Sequence, residues 1–185
     1  MISQPRAHSS PTTVHRPPFT DVNLPPSELL YGDFSGEHAA TRRMLSRYPD
    51  GKGQWRPDAK SRPLGALASH VAGIVGRGTM VLETDGMDVT TRQPPPVFDS
   101  SSELLAYFDE NVARFNEALA KADYGSLEHR WAMRRGNQVL IEQSKRHLLR
   151  VLMMSHLVHH RAQLGLYYRL LGIPVPGMYG PSADD

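Results

Sequence analysis

The chain has 185 residues, a formal net charge of +2 and no cysteine. This length is enough for one domain with a sizeable core, and the absence of cysteine excludes disulfides and thiolate metal ligands. No segment approaches the roughly 18 consecutive apolar residues of a membrane span. The N-terminus lacks the apolar centre of a secretory signal. We therefore expect a cytoplasmic protein with no membrane partner. The small net charge gives no argument for nucleic acid as a partner.

The last third of the chain is basic. Residues 126–170 carry two acidic side chains, Glu128 and Glu142. The eight basic side chains in the same range are Arg130, Arg134, Arg135, Lys145, Arg146, Arg150, Arg161 and Arg169. Such a segment is able to attract an anionic substrate or cofactor. The simpler interpretation is a solvent-exposed helix face whose positive charges are balanced by acidic residues elsewhere in the fold.

The two ends of the first helix are marked by local signals. Residues 1–24 are rich in proline, serine and threonine and lack apolar periodicity. We predict a flexible arm there, followed by a single domain over residues 25–185. Ser27 is a suitable N-cap for the first helix. We expect that helix to end near Tyr48, because proline and glycine follow.

Two further helices are predicted in the middle of the chain. The second runs from about Ser61 to Leu82, and each of its four glycines costs roughly 1 kcal/mol against alanine. Close packing against a neighbouring helix, or against a second subunit, would explain these glycines. A loop over residues 85–96 contains three consecutive prolines and leads to a third helix from Ser101 to Lys121.

The fourth predicted helix is the longest. Before it, residues 127–141 are ambiguous between a small hairpin and an irregular loop, with Gly136 and Asn137 as turn residues. The helix then extends from about Gln143 to Leu171, where a glycine follows it. Four helices joined by long loops predict an all-α fold, a four-helix bundle.

Two histidines of this helix carry the functional argument. His156 and His160 are four residues apart, which places them on one helix face, one turn apart. At about 100° per residue they fall in the middle of the apolar face, whereas Arg161 falls well outside it. Inward imidazoles need partners for both ring nitrogens, and one metal ion would satisfy a nitrogen of each. A pair of core histidines bonded to backbone or water is the alternative interpretation.

A third ligand is the next requirement, because a catalytic metal commonly takes three protein ligands. It should come from another helix. His38 on the first helix and His70 on the second both qualify, and spacing alone leaves the choice open. His147 is a weaker candidate because it lies too far along the fourth helix, and His129 because it lies in the ambiguous segment.

A general base is missing from the two-histidine segment. The sequence there is His-Leu-Val-His-His, without the glutamate of the His-Glu-x-x-His motif that serves zinc proteases as general base. Peptidase activity is therefore disfavoured. Glu37, Asp33 and a histidine that binds no metal are distant candidates for a base.

Four passages resemble the DinB/YfiT-like family of damage-inducible metalloproteins. Residues 55–61 resemble the Trp-x-Pro-x-x-x-Ser stretch before its second helix, and residues 64–72 resemble the segment with its first histidine ligand. Residues 154–164 match its two-histidine helix, including the Arg-x-Gln that follows the histidines. Residues 174–185 resemble the closing segment of one branch. The resemblance covers residues 27–185.

The resemblance implies one divalent metal ion held by His70, His156 and His160, and so it selects His70 over His38. It also implies an up-down-down-up bundle and a homodimer. The family metal varies among nickel, zinc, iron and manganese, and neutral imidazole accepts all of them. Asp58 departs from the family, whose members often carry histidine at that position.

Some members of the family are thiol-dependent S-transferases or isomerases that use bacillithiol, mycothiol or glutathione. Our leading hypothesis is therefore a metal-dependent transferase that presents a low-molecular-weight thiol to an electrophilic substrate. A thiol from outside the protein would supply the nucleophilic sulfur that a chain without cysteine lacks. One alternative is a metal-dependent hydrolase with metal-bound water as nucleophile. Another is a metal-binding stress protein without enzymatic activity.

Overall fold

The structure is a computed structural model and describes residues 34–185. The predicted arm, residues 1–24, and the start of the predicted first helix lie outside this range. Within residues 34–185, no helix has both the length and the apolar character needed to cross a bilayer.

Helices make up most of the described chain. Their bounds are α1 Phe34–Leu45, α2 Leu64–Gly73, α3 Val75–Glu83, α4 Ser101–Ala120, α5 Tyr124–Glu128, α6 Lys145–Leu148, a π-helix Leu149–Ser155, and α7 His156–Leu170. The strands are β1 Gly86–Asp88, β2 Arg130–Arg135 and β3 Gln138–Ser144. The second predicted helix is thus two helices that meet at Ile74.

One apolar core joins these helices. α2 packs against α4 and α7, while α3 packs against α4 and the π-helix. Its largest fully buried side chains include Trp131, Tyr168, Phe108 and Phe115. Two hydrogen bonds hold the loop before α4: Phe98 N donates to Ser69 Oγ of α2 at 2.8 Å, and Gly53 N, in the loop before α2, donates to Asp99 Oδ1 at 2.7 Å.

The glycines of the second predicted helix allow α4 to approach closely. A Cβ at Gly78 would lie 2.7 Å from the buried ring of Phe115, and one at Gly73 would lie 3.1 Å from the ring of Tyr107. Both contacts are tighter than side chains normally tolerate. The predicted close packing is therefore present, and a helix of the same chain supplies the neighbour.

A three-stranded sheet corrects the all-α prediction. β1 pairs in parallel with β2, which places Met87 opposite Met133, and β2 pairs antiparallel with β3. The ambiguous residues 127–141 thus belong largely to a hairpin, which runs from Arg130 to Ser144 and has Gly136 at φ +55° in its turn. The predicted start of the fourth helix at Gln143 is therefore too early, because Gln143 and Ser144 belong to β3. The prediction missed β1 because the three residues Gly86–Asp88 are too few to show an alternating pattern. The domain is helix-rich with a small sheet.

The last helical region winds in two ways. The chain forms a π-helix before α7, where the sequence predicted a continuous α-helix. A π-helix turns less per residue than an α-helix, so an α-helical projection across it misplaces the residues beyond. The predicted face is accordingly wrong at two positions: Arg161, which the projection places outside it, is buried, and Gln163, which the same projection places on it, is exposed. His156 and His160 are half-buried.

Arg161 links its own helix, α7, to α1 and to the C-terminal tail. Its guanidinium donates to the Glu37 carboxylate at 2.7 Å, to the Thr41 hydroxyl at 3.0 Å and to the Tyr179 hydroxyl at 2.6 Å. Glu37 and Thr41 belong to α1, and Tyr179 belongs to the C-terminal tail. A buried guanidinium needs such partners because its desolvation is costly.

Candidate metal centre

Three histidines meet between α2 and α7. His70 lies in α2, and His156 and His160 lie in the first two turns of α7. One ring nitrogen from each lies within 4.8 Å of those from the other two. Nε2 of His70 is 3.1 Å from Nε2 of His156, and the ring centroids are 4.5, 4.6 and 5.0 Å apart. These are the three residues that the resemblance selects.

The other candidates for the third position lie elsewhere. His38 is buried among the rings of Phe34, Phe108 and Phe115, with centroid distances of 6.0 to 6.2 Å. Its side chain packs into the aromatic core and does not join the cluster. The side chains of two further candidates, His129 and His147, are exposed.

Hydrogen bonds orient two of the three rings. Gln163 Oε1 lies 2.7 Å from Nδ1 of His160. Because an amide oxygen only accepts, this contact requires a proton on Nδ1 and leaves a lone pair on Nε2. The Leu152 carbonyl accepts from the imidazole of His156. Partners of this kind commonly fix the tautomer of metal-binding histidines. The sequence feature that could have identified Gln163 as a partner of His160 is their spacing of three residues, which places both side chains on one face of the helix.

The sequence interpretation overlooked Arg77 of α3. Nη1 of Arg77 lies 3.3 Å from Nδ1 of His156. Burial, followed by the positive charges of Arg92 and Arg62, lowers the pKa of Arg77 to about 10. Arg77 stands between two glycines, outside both the apolar stripe and the basic last third. The one available signal was a charged side chain set between two glycines in the middle of a predicted helix.

The environment keeps the imidazoles neutral. Burial, then Arg77 and the neighbouring imidazoles, lowers the pKa of His70 to about 3 and the pKa of His156 to about 4. Burial also lowers the pKa of His160, although the bond to Gln163 opposes this shift. Neutral imidazole is the form that binds metal ions, so at neutral pH His70 and His156 do not have to release an imidazolium proton first.

The donor set fits a divalent metal ion. Two nitrogens that each lie 2.0–2.1 Å from a tetrahedral zinc ion are about 3.3 Å apart, and the Nε2 atoms of His70 and His156 are 3.1 Å apart. Three nitrogen ligands leave a fourth coordination position for another molecule. Within the described part of the chain, no carboxylate joins this cluster.

Comparison with known proteins identifies the family. The model of the DinB family matches residues 21–185. The chain belongs to the DinB family. It is similar to the uncharacterized protein YrdA of Bacillus subtilis strain 168, with 23% identity over 154 residues, which are 80% of this chain and 85% of YrdA.

Two solved structures share the DinB fold with this chain. One is a DinB-like protein from Bacillus cereus ATCC 10987, with a TM-score of 0.60, 24% identity, and coverage of 78% of this chain and 92% of that protein. The other is the DinB-like protein YjoA from Bacillus subtilis, with a TM-score of 0.59, 16% identity, and coverage of 76% and 92%.

The remaining polar candidates do not contribute to the DinB-type histidine cluster. The carboxylate of Glu37, one candidate base, is engaged by Arg161 at 2.7 Å. Asp33 lies outside the described residues. Asp58 is exposed, and its carboxylate accepts from the backbone N–H of Lys60 at 2.8 Å.

The lowered pKa values predict how stability depends on pH in the metal-free protein. Histidine in an unfolded chain titrates near pH 6.5, whereas His70 and His156 in the folded chain titrate at about 3 and 4. Between these values the unfolded chain binds more protons. The free energy of unfolding therefore falls as pH decreases from about 7 towards 4. Urea unfolding of chelator-treated protein at several pH values measures this slope.

Two variants identify the source of the slope. His70→Gln is expected to flatten it, because one of the buried neutral imidazoles is removed. His147→Gln is the matched control, an exposed histidine outside the cluster, and should leave the slope unchanged. Equal slopes in the wild type and in His70→Gln would contradict the assignment.

Proposed function

We propose that this protein is a metal-dependent enzyme that presents a low-molecular-weight thiol to an electrophilic substrate. One divalent ion would be held by His70, His156 and His160. The observation that carries the proposal is the convergence of three neutral imidazoles, two of them oriented by outer partners. A divalent ion bound there would lower the pKa of a thiol and stabilise its anion.

A thiol suits this site better than water does. Among residues 34–185, no carboxylate joins the three histidines to accept a proton. A free thiol has a pKa of about 8.5, so a shift of about two units ionises most of it at pH 7. A bound zinc ion lowers the pKa of water from about 15.7 to about 7, so acidity alone does not separate the two nucleophiles, and the choice of a thiol rests on the missing carboxylate and on the family resemblance. The positive charges of Arg77 and Arg62, which lower the pKa of His70, also favour an anionic ligand nearby.

The identity of the metal stays open within this proposal. Neutral imidazole binds nickel, zinc, iron and manganese, and the order of their affinities depends more on the metal than on this ligand set. The absence of cysteine removes the soft protein ligands that would favour zinc over the others.

Metal content is the first test. Elemental mass spectrometry of the untagged protein is expected to give about one equivalent of divalent metal, since three ligands and one open position define a single site. The His156→Ala/His160→Ala double variant should retain little metal, and the control variant His147→Ala should retain the wild-type amount. If the wild type binds no metal after reconstitution with nickel, zinc, iron and manganese, the metal centre is wrong. The histidines would then be bonded to each other and to their neighbours.

Thiol binding is the second test. Titration of cobalt-substituted protein with a low-molecular-weight thiol is expected to produce a sulfur-to-metal charge-transfer band, because the fourth position is open. The alcohol of the same skeleton should produce no such band, and neither should His70→Ala with the thiol. Turnover of a generic ester without thiol would instead favour the hydrolase. Metal binding with neither thiol binding nor turnover would favour the stress protein without enzymatic activity.

We also propose a homodimer. The outer side of α7 and the adjoining tail expose three large apolar side chains, Leu166, Leu170 and Tyr179, at 59%, 58% and 71%. Leu166 and Leu170 are one helical turn apart, and Leu166 and Tyr179 line the same surface pocket. Such a cluster of exposed apolar groups is typical of interfaces. Size-exclusion chromatography with light scattering should give about 41 kDa, twice the chain mass of 20.6 kDa. A mass near 20.6 kDa would exclude the dimer.

A further inference from the structure

A cavity of about 200 Å³ adjoins the histidine cluster without including any of its three rings. It lies where α3, α4, the sheet and the π-helix meet. Two of its lining residues touch His156 from outside the cluster: Arg77 through its guanidinium, and Leu152 through its carbonyl. The cavity is therefore separate from the proposed metal position but connected to it through one ligand.

The lining of this cavity is strongly positive. Three arginines line it, Arg77, Arg92 and Arg114, and no acidic residue does. Within the described chain, none of the three forms an ion pair. Arg77 is half-buried, and its Nη1 lies 3.3 Å from Nδ1 of His156, whose proton is directed to the Leu152 carbonyl, so this contact uses none of the guanidinium donors. A guanidinium has five N–H donors in a planar fork that matches a carboxylate, so most of its donors are available to an anion.

Apart from Asn111 and the hydroxyl of Tyr107, the side chains that complete the lining are apolar. Met80, Met87, Met133 and Leu152 form this part of the wall. Methionine side chains are flexible and polarisable, so they adapt to apolar groups of various shapes. An inorganic ion would leave this wall without a partner.

We propose that this cavity binds a small organic carboxylate with an apolar body. Its carboxylate would pair with Arg77, and its body would contact the methionines. The volume equals that of roughly seven waters at about 30 Å³ each, which is enough for a carboxylate with a short apolar chain. This site does not require the metal centre, because its walls are complete without one.

The contact between Arg77 and His156 couples the two sites. The positive charge of Arg77 opposes a cation at the histidines. A carboxylate that pairs with Arg77 offsets this charge, so the bound anion should strengthen metal binding, and the metal should strengthen anion binding equally. This second consequence rests on the proposed metal centre.

Isothermal titration calorimetry of chelator-treated protein tests the site, with 4-methylpentanoate as the probe. We expect saturable binding that is at least about tenfold weaker in Arg77→Gln, the loss expected from one charge-assisted hydrogen bond. Arg47→Gln, an exposed arginine outside the cavity lining, should stay within about twofold of the wild type. The neutral 4-methylpentanamide should not bind, and acetate and inorganic phosphate should bind more weakly.

Several results would overturn the inference: no saturable binding of 4-methylpentanoate, equal binding of its amide, or phosphate binding as tightly. If Arg77→Gln fails to fold, Arg114→Gln replaces it, because Arg114 is an exposed residue of the same lining; unchanged affinity in the folded variant would also overturn the site. A chelator-competition titration with and without the carboxylate measures the coupling. Carboxylate binding without any metal binding would refute the metal centre alone.

Discussion

The buried guanidinium of Arg161 determines how the last helix faces its neighbours. Arg161 is 2% exposed, and it reaches Glu37 in α1 and Tyr179 in the tail. Loss of one partner would leave a buried charge uncompensated, and such a loss costs more than the pair contributes in net stability. His160 precedes Arg161 by one residue, about 100° around the helix. An ion pair towards α1 therefore turns His160 and His156 towards α2, where His70 stands.

The positive charge beside the histidine cluster has two opposed effects on the binding of a metal ion. Burial, and after it the positive charge of Arg77, keeps His70 and His156 neutral, which prepares their nitrogens for a metal ion, but the same charge also repels that ion. The conflict is reduced when an anion is present, either as the proposed thiolate or as a carboxylate beside Arg77. Anionic ligands thus fit this protein electrostatically, and the acidic residues that would otherwise neutralise Arg77 are missing from its cavity.

The small sheet belongs to this arrangement as well. Pairing of β1 with β2 sets Met87 beside Met133, and both side chains line the cavity that also contains Arg77. Trp131 of β2 is fully buried and donates from Nε1 to Thr84 Oγ1 at 3.0 Å, which anchors the sheet to the end of α3. Two features therefore lie side by side in this DinB fold, the histidine cluster between α2 and α7 and the cavity beside the sheet, and we propose a ligand for each.

Local properties of the sequence were enough to predict the helical regions and the pair His156 and His160, because helix periodicity and i, i+4 spacing depend on neighbouring residues. The third histidine stayed open between His38 and His70 until the family resemblance selected one. Only the tertiary structure brought His70 into the cluster, since that depends on how α2 packs against α7. It also decided the burial of Arg161, whose partner Glu37 lies 124 residues away. The π-helix rotates the residues of α7 around the helix axis relative to the residues before it. A projection that uses one constant angle per residue does not include this rotation.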